Sequence, residues 1–198
     1  MMNKHALIVI AKYPENGEVK TRIQGLNDTQ RVALYTKLLE HTMSKLSSLP
    51  DIDTFIAFAP DSAGEYFSRF NVKLIALSEG DLGERMDEAF QLVFSLGYRK
   101  ASLVGADIPD LTGAIIQQSF DILNDHDLVF GPAEDGGYYL VGMSSLIREV
   151  FTNVPWSSDK TLQRSLKQAK HYGYSVGLLR TLYDIDTLED VKKAGLLP

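Results

Sequence analysis

Short apolar runs alternate with longer segments of mixed polarity along the whole chain of 198 residues. The runs are rich in Val, Ile, Leu and Phe, and several are apolar on both faces, which is typical of parallel strands that helices cover on each side. The strands predicted in this way are 5–11, 53–59, 72–77, 101–105, 127–131, 137–142 and 174–180.

The segments between these strands carry helical periodicity. In the first of them Val32, Tyr35 and Leu39 recur at the spacing of one helix face, and Asp28 or Thr29 is expected to cap the helix start. The predicted helices are 29–47, 62–69, 82–96, 113–123, 145–151, 159–171 and 187–194. The alternation of strands and helices predicts an α/β fold with a mostly parallel central sheet.

Composition and charge narrow the classes of function. Hydrophobic residues make up 44% of the chain and charged residues 23%, as in ordinary globular proteins. The absence of cysteine excludes disulfides, thiolate metal sites and cysteine nucleophiles. A net charge of −6 disfavours nucleic acid as a partner, and no run approaches the roughly 20 apolar residues of a membrane span. We expect a soluble, cytoplasmic protein with no membrane partner, and a single domain over residues 1–198.

Ligands of such sheets collect beyond the carboxyl ends of the strands, so the residues that follow each strand are the candidates for a site. The first strand is followed by "KYPENGEVKTRI", in which Gly17 allows a tight backbone path. Lys12, Lys20 and Arg22 supply cations for phosphate oxygens. The segment is neither a P-loop nor a GxGxxG motif, and a solvated surface loop is the alternative.

Acidic residues follow two other strands. Asp107 in "GADIPDL" is placed to hold Mg²⁺ or Mn²⁺, although a turn aspartate is the alternative. Asp184 and Asp186 in "YDIDTLED" are two residues apart and share a face. Asp186 is the predicted second metal ligand, or else only a helix cap; Thr187 and Asp190 have the spacing of a capping box.

The segment "GPAEDGGYYLVG" predicts a tight turn between two strands. Asp135 could bind or deprotonate an acceptor hydroxyl, and Gly136 and Gly137 let a substrate approach the backbone closely. Tyr138 and Tyr139 should point to opposite faces of a regular strand, so one of them is expected in the core and Tyr138 is the candidate for acceptor binding.

Two further segments are candidates for binding. In "GDLGERMDEAF" the helix start at Gly83, together with Arg85, suits an anion or a nucleotide ribose, whereas an ordinary capped helix is the alternative. Trp156 in "VPWSSD" could stack on a sugar or an acceptor, or be a core residue. The four histidines show no ligand spacing, so no zinc site is indicated.

The motifs "KYPENGEVKTRI", "GDLGERMDEAF", "GADIPDL", "GPAEDGGYYLVG", "PWSSD" and "LYDIDTLEDV" follow one another over nearly the whole chain. Together they resemble the glycosyltransferase-A-like family often associated with arsenosugar biosynthesis, which is largely uncharacterised and is similar to the nucleotide-diphospho-sugar transferase superfamily. The resemblance implies a three-layer α/β/α sandwich. The same superfamily contains small nucleotidyltransferases, such as the molybdenum-cofactor and 2-phospholactate guanylyltransferases, so the resemblance also implies nucleotidyl transfer as a possible reaction.

The resemblance also implies roles for individual residues. Lys12, Gly17, Lys20 and Arg22 match the first nucleotide and phosphate loop. Asp107 matches the metal-binding aspartate of the superfamily, and Asp186 matches the acidic position that completes the metal site. Residues 135–138 match an Asp-Gly-Gly-Tyr motif of the family. The chain departs from its relatives in lacking the loop Leu-x-Ala-Gly-Gly-x-Gly-x-Arg of nucleotidyltransferases, and in carrying one Asp where many glycosyltransferases carry Asp-x-Asp.

Three hypotheses follow. The first is a glycosyltransferase that uses Mg²⁺ or Mn²⁺ and a nucleoside diphosphate sugar, with Asp135 and Lys20 as catalytic residues and a small-molecule acceptor. The second is a nucleotidyltransferase that joins a nucleoside triphosphate to a small phosphorylated or acidic acceptor. The third is a nucleotide-sensing or partner-binding module without catalysis. The sequence leaves the base, the sugar, the acceptor and any homo-oligomer undetermined.

Overall fold

The structure is a computed structural model that describes residues 5–15 and 18–196. Within these ranges seven strands form one sheet: β1 His5–Lys12, β2 Ile52–Ala59, β3 Lys73–Ala76, β4 Lys100–Gly105, β5 Leu128–Pro132, β6 Tyr138–Met143 and β7 Val176–Leu178. The α-helices are α1 Asp28–Leu46, α2 Gly64–Ser68, α3 Leu82–Ser95, α4 Gly113–Ile122, α5 Thr161–Tyr172 and α6 Leu188–Lys193. Short 3₁₀ turns lie at Asp61–Ala63 and Glu149–Phe151.

The strand order is β3-β2-β1-β4-β6-β5-β7, and only β6 runs antiparallel to its neighbours. The chain leaves β1 toward β2 and β3 and then returns to add β4 on the other side of β1. This reversal opens a crevice beyond the carboxyl ends of β1 and β4, where ligands of open α/β sheets bind. Because β6 is antiparallel, its first residue, Tyr138, lies at the same edge of the sheet.

The predicted α/β fold with a mostly parallel sheet is confirmed, and every predicted strand exists within two or three residues of its expected bounds. The helix predicted over 145–151 is wrong, because only the 3₁₀ turn Glu149–Phe151 forms there. The expected cap of α1 is also wrong: Asn27, rather than Asp28 or Thr29, accepts from the Gln30 amide. The capping box at Thr187 and Asp190 is confirmed.

Helices cover both faces of the sheet, as the apolar runs predicted, and each face has its own core. Large side chains fill both layers, with Phe67 and Phe120 on one face and Phe90 and Phe130 on the other, all fully buried. Burial of this kind stabilises a fold by about 1.5–3 kcal/mol per large apolar side chain. Among the described residues, no helix is both long and apolar enough to cross a bilayer.

A third, smaller core lies outside the sheet and fixes two loops that matter for the site. It joins Ile23 of the loop after β1 to Ile185 of the segment before α6, and both side chains are fully buried. Leu34 and Leu38 of α1 and Val191 of α6 complete it. This cluster brings together segments that are far apart in the sequence, at the carboxyl edge of the sheet.

Candidate active site

A cleft of about 460 Å³ lies at the carboxyl edge of the sheet. The residues that line it come from the loop after β1, the start of α3, the end of β4, the β5–β6 turn, the segment 156–161 and the segment before α6. One end of the cleft is charged and the other side is aromatic and aliphatic. Nine predicted site residues line it: Lys12, Lys20, Arg22, Asp107, Asp135, Gly137, Tyr138, Trp156 and Asp186.

Lys20 is the most enclosed cation of the charged end, with only 5% of its side chain exposed. Its ammonium donates to Asp107 Oδ2 at 2.6 Å and to the Ile185 carbonyl at 2.5 Å. Asp186 Oδ1 lies 3.7 Å from the same nitrogen. Lys20 therefore joins the loop after β1 to the segment that follows β4 and to the segment before α6. It contacts both predicted metal ligands, Asp107 and Asp186.

The other predicted phosphate-binding cations are more accessible. Arg22 has a side chain that is 58% exposed and pairs with Asp186 Oδ2 at 3.2 Å. Lys12 is exposed, and its ammonium donates to the Glu18 carbonyl at 3.3 Å. Both can turn toward a ligand in the cleft at little cost, because exposed ion pairs contribute only about 0–1 kcal/mol. Gly17, the remaining predicted residue of this loop, lies outside the described residues.

Three carboxylates converge at the same end of the cleft. Asp135, Asp184 and Asp186 each place an oxygen within 4.8 Å of the others. Asp186 is thus shared between this cluster and Lys20. Asp107, the other predicted metal ligand, is not a member of this cluster; it pairs with Lys20, and 28% of its side chain is exposed. The sequence placed Asp184 on the same face as Asp186 but assigned it no role, and its membership of the cluster is a finding of the structure.

Burial and the convergence of these carboxylates perturb the pKa of Asp184. Burial, followed by the negative charges of Asp186, Asp107 and Asp135, raises the pKa of Asp184 from 3.8 to about 6, and Lys20 partly offsets the rise. A perturbed carboxyl among like charges in a cleft is typical of functional sites, although structural clusters produce it too.

Strand-like alternation explains why two aspartates meet the cleft. Ile185 is fully buried in the third core cluster, so Asp184 and Asp186 on either side of it face the opposite way. The Ile185 amide also donates to the Asp107 carbonyl at 3.3 Å. Asp186 is not a helix cap, because Thr187 caps α6.

The predicted turn at the end of β5 is confirmed as a hairpin. Asp135 Oδ1 accepts from the Gly137 amide at 2.8 Å, and the rest of this exposed carboxylate faces the cleft. Gly136 has φ +87°, and a Cβ there would lie 2.2 Å from the Asp159 carbonyl oxygen. Gly136 does not line the cleft. This close packing against the segment before α5 explains why residue 136 is a glycine, so acceptor binding is not needed to explain it.

The two tyrosines of β6 point to opposite faces, as predicted. Tyr139 packs in one core and donates to the Arg180 carbonyl at 3.0 Å. Tyr138 packs against the other core, and its ring lines the cleft while its hydroxyl is buried without a hydrogen-bond partner among the described residues. Burial raises the pKa of the Tyr138 hydroxyl. A ligand can meet the ring of Tyr138, but its hydroxyl is not a surface group of the cleft.

Trp156 forms the aromatic side of the cleft and belongs partly to the core. Its half-buried indole contacts the rings of Tyr138 and Phe151. It also lies directly on Gly83, where a Cβ would be only 2.5 Å from Cζ2 of the indole. Gly83 therefore serves this close approach, and it does not line the cleft.

The start of α3 is capped by its own side chains. Asp81 accepts from the Glu84 amide at 2.9 Å, and Glu84 accepts from the Asp81 amide at 2.8 Å. Leu82 and Met86 line the cleft from this helix. Arg85 is half-buried and does not line the cleft. Its Nε has no hydrogen-bond partner among the described residues.

Tyr35 is a second cleft residue to which the sequence assigned no chemistry. It appeared only as part of the apolar face of α1, and it is indeed buried. Its hydroxyl also lines the cleft region at the end of β1, where it accepts from the Lys12 amide at 2.9 Å. Burial and then the charge of Asp107 raise the pKa of Tyr35. Helical periodicity alone cannot separate such a residue from the core.

Comparison with solved structures identifies the fold as that of nucleotide-diphospho-sugar transferases. A Desulfovibrio desulfuricans G20 protein, provisionally described as such a transferase, is 31% identical, with 94% of this chain and 84% of that chain covered and a TM-score of 0.87. CMP:2-keto-3-deoxy-manno-octonic acid synthetase complexed with CTP matches at 10% identity over 98% of both chains, with a TM-score of 0.63.

A third structure, 4-diphosphocytidyl-2C-methyl-D-erythritol synthase from Anaerococcus prevotii DSM 20548, matches at 11% identity over 96% of this chain and 93% of that one, with a TM-score of 0.65. At these low identities the last two structures support the fold alone. A search of curated proteins found no match. A family profile matches residues 42–158, and the chain therefore belongs to the family described as "Uncharacterized protein conserved in bacteria (DUF2064)".

Proposed function

We propose that this protein is a metal-dependent transferase that moves a sugar from a nucleoside diphosphate sugar to a small acceptor. The observation that carries the proposal is the charged end of the cleft. There, Lys20 and Arg22 lie within ion-pair distance of carboxylates that arrive from other segments. Cations and acids gathered at the carboxyl edge of this fold suit a diphosphate and its metal ion. Structural neighbours described as transferases and nucleotide-using synthetases support the same class.

The donor set at the charged end fits a hard divalent cation. Three carboxylate oxygens within 4.8 Å of one another are ligands of the kind that Mg²⁺ and Mn²⁺ prefer. Asp184 and Asp186 would hold the ion with Asp107 beside them, and Asp135 is the member of the cluster left for the acceptor. A bound cation would supply charge stabilisation for a leaving diphosphate.

The chain's own cations would bind the rest of the donor. Arg22 is exposed at the mouth of the charged end, where its guanidinium can grip phosphate oxygens in a bidentate manner. Lys12 lies in the same loop and can reach the same ligand. Negative charge grows on the leaving diphosphate in the transition state, so fixed cations there lower the barrier.

The acceptor would enter from the hairpin side. Asp135 is exposed, and one of its oxygens is held by the Gly137 amide, which leaves the other free to orient or deprotonate a hydroxyl. Trp156 and the ring of Tyr138 offer an aromatic wall for a sugar. No cysteine is present as a thiol ligand, and nothing in this wall selects for an arsenic-containing acceptor.

The second candidate is a nucleotidyltransferase that joins a nucleoside triphosphate to a small acceptor and releases pyrophosphate. It is favoured by the fold shared with two proteins whose names contain cytidine nucleotides, one of them bound to CTP. The same cations and carboxylates would serve this reaction. The two candidates differ in the donor that the cleft binds.

A thermal-shift panel of nucleoside diphosphates, triphosphates and diphosphate sugars, each with and without Mn²⁺, tests both candidates. A ligand at ~100 times its Kd adds about 2.7 kcal/mol to the free energy of unfolding, which is readily measured. A Mn²⁺-dependent shift with one diphosphate sugar supports the first candidate. A shift with one triphosphate alone supports the second, and no shift with any of them contradicts both.

A further inference from the structure

Lys20 is held by oxygen atoms from two other segments of the chain. Its ammonium has three hydrogens and three oxygen neighbours: Asp107 Oδ2 at 2.6 Å, the Ile185 carbonyl at 2.5 Å and Asp186 Oδ1 at 3.7 Å. With 5% of the side chain exposed, little of it is left for water. Lys20 thus makes two short hydrogen bonds and one longer ion-pair contact with the protein, and in this arrangement it is not a free phosphate-binding group.

The surroundings of Lys20 are strongly acidic. Four carboxylates, Asp107, Asp135, Asp184 and Asp186, interact electrostatically at this end of the cleft. Lys20 is the buried cation among them, whereas the guanidinium of Arg22 is 58% exposed. Like charges at this separation repel one another unless a cation lies between them. The ammonium thus offsets negative charge between the two aspartates that the sequence predicted as metal ligands, as a metal ion there would.

The backbone at Lys20 indicates that this position is imposed by the contacts. Its φ is +53°, in the left-handed region that residues with a Cβ adopt at a cost. Strained residues of this kind persist when their surroundings hold them and are frequent where a structure switches. Loss of the ammonium's contacts would remove the reason for the strain.

We propose that Lys20 is the built-in counter-ion of the acidic cluster and that a divalent cation displaces it from the carboxylates. This inference rests on the proposed function, because it concerns the metal ion of that same site. Asp186 belongs both to the three-carboxylate cluster and to the contacts of Lys20, so a divalent cation bound by Asp186 repels the ammonium and takes its place beside that carboxylate. The expelled ammonium is then available to phosphate oxygens, which reconciles its buried position with the role predicted from the sequence.

The first test uses the unmodified protein. Lysine amines are acetylated at trace level with and without saturating Mg²⁺, and the modified peptides are quantified by mass spectrometry. Lys20 should be protected without the cation and should become labelled about tenfold faster with it, as expected for a group released from its contacts. Lys12, an exposed lysine of the same loop, is the internal control and should be labelled equally in both conditions. Unchanged protection of Lys20 at saturating Mg²⁺ would overturn the inference.

The second test measures Mn²⁺ affinity by calorimetry for Lys20→Met, with Lys12→Met as the matched loss of one charge. Removing the competitor should tighten Mn²⁺ binding at least about tenfold, beyond any change in the control. A lysine with a purely structural role would give weaker binding on removal. Lys20→Gln serves if the Met variant fails to fold, and the acetylation test needs no variant.

The outcomes separate the two proposals. Mn²⁺ binding to the unmodified protein that Lys20→Met leaves equal or weaker would overturn the exchange and leave the proposed function standing. No Mn²⁺ binding by any variant, with nucleotide present, would overturn both.

Discussion

The two sides of the cleft are built on opposite principles. On the aromatic side, Trp156, Tyr138 and Gly83 pack against one another and continue the core, so each contact also stabilises the fold. At the charged end, the carboxylates repel one another and rely on Lys20 and Arg22. The contacts that shape the aromatic side also stabilise the fold, whereas the gathering of like charges at the charged end destabilises it.

This difference indicates where ligand chemistry resides. Natural proteins keep a destabilising cluster of like charges mainly where it has a use. Substitutions on the aromatic side should therefore lower stability, whereas a neutral residue at Asp184, which forms no ion pair among the described residues, should raise it while weakening ligand binding. The sign of the stability change separates the two regions more clearly than its size.

The largest effect is expected for Trp156→Ala. It removes the contacts with Tyr138 and Phe151 and leaves a cavity beside Gly83, so the free energy of unfolding should fall by about 3 kcal/mol, at the low end for a tryptophan because the indole is only half-buried. Urea unfolding followed by far-UV circular dichroism measures it, since no other tryptophan is present. Trp156→Phe should lose clearly less. Equal stability of Trp156→Ala and the unmodified protein would show that the aromatic side does not contribute to the core.

Gly83→Ala should cost about 2 kcal/mol, because its Cβ would overlap the indole of Trp156 at 2.5 Å. The matched control is Gly64→Ala at the start of α2, where the new Cβ would make an ordinary 3.6 Å contact with Phe58. That helical position should tolerate alanine or gain up to about 1 kcal/mol. Unfolding in urea compares the two, and an equal cost at both sites would contradict the close packing at Gly83.

Asp184→Asn should act in the opposite direction and depend on pH. Because its pKa is raised from 3.8 to about 6 in the folded protein, the folded state holds a proton that the unfolded chain has lost between these values. The unmodified protein therefore loses stability as the pH rises through this window, by about 1–2 kcal/mol after allowance for solvent screening.

The asparagine variant lacks this titration. It should be more stable than the unmodified protein above about pH 7 and equal to it near pH 4, as judged from urea unfolding across that range. Asp61→Asn, at an exposed position remote in sequence from the cluster, is the control. A variant less stable than the unmodified protein at neutral pH would show that the Asp184 carboxylate is favourably paired.

Arg22→Ala should have the smallest effect on stability, within about 0.5 kcal/mol, because its ion pair is exposed. Its effect should appear instead in binding. Loss of one charged hydrogen-bond donor to phosphate should weaken nucleotide affinity by about 1.5 kcal/mol, or roughly tenfold. Calorimetric titration measures the change, and unchanged affinity would remove Arg22 from the donor site.

The sequence predicted the sheet well because its strands are apolar runs whose burial does not depend on distant residues. The antiparallel direction of β6 followed from the predicted turn at Asp135 and Gly136. The helix prediction for 145–151 was wrong because the apolar residues of this segment pack beside α5 as a short turn. The site was predictable as a set of strand ends. The pairing of Lys20 with Asp107 could not be predicted, because the two residues are 87 positions apart and only the fold brings them together.

Two of the predicted binding glycines lie outside the cleft. Gly83 and Gly136 are glycines because Trp156 and the backbone of Asp159 approach them closely, which no local motif encodes. Burial, followed by the charges of three carboxylates of which two are far away in the sequence, raises the pKa of Asp184. Residue type and spacing therefore located the cleft, while tertiary contacts decided what each residue does there.

The charged end of the cleft is expected to bind a divalent cation together with a nucleotide. Electron paramagnetic resonance of Mn²⁺ tests it directly, in the presence of the nucleotide that gives the largest thermal shift, for the unmodified protein and Asp186→Asn. We expect one tightly bound Mn²⁺ per chain of the unmodified protein, and we expect this binding to be lost in the variant although the variant remains folded. Mn²⁺ that binds equally to both proteins, or to neither, would contradict it.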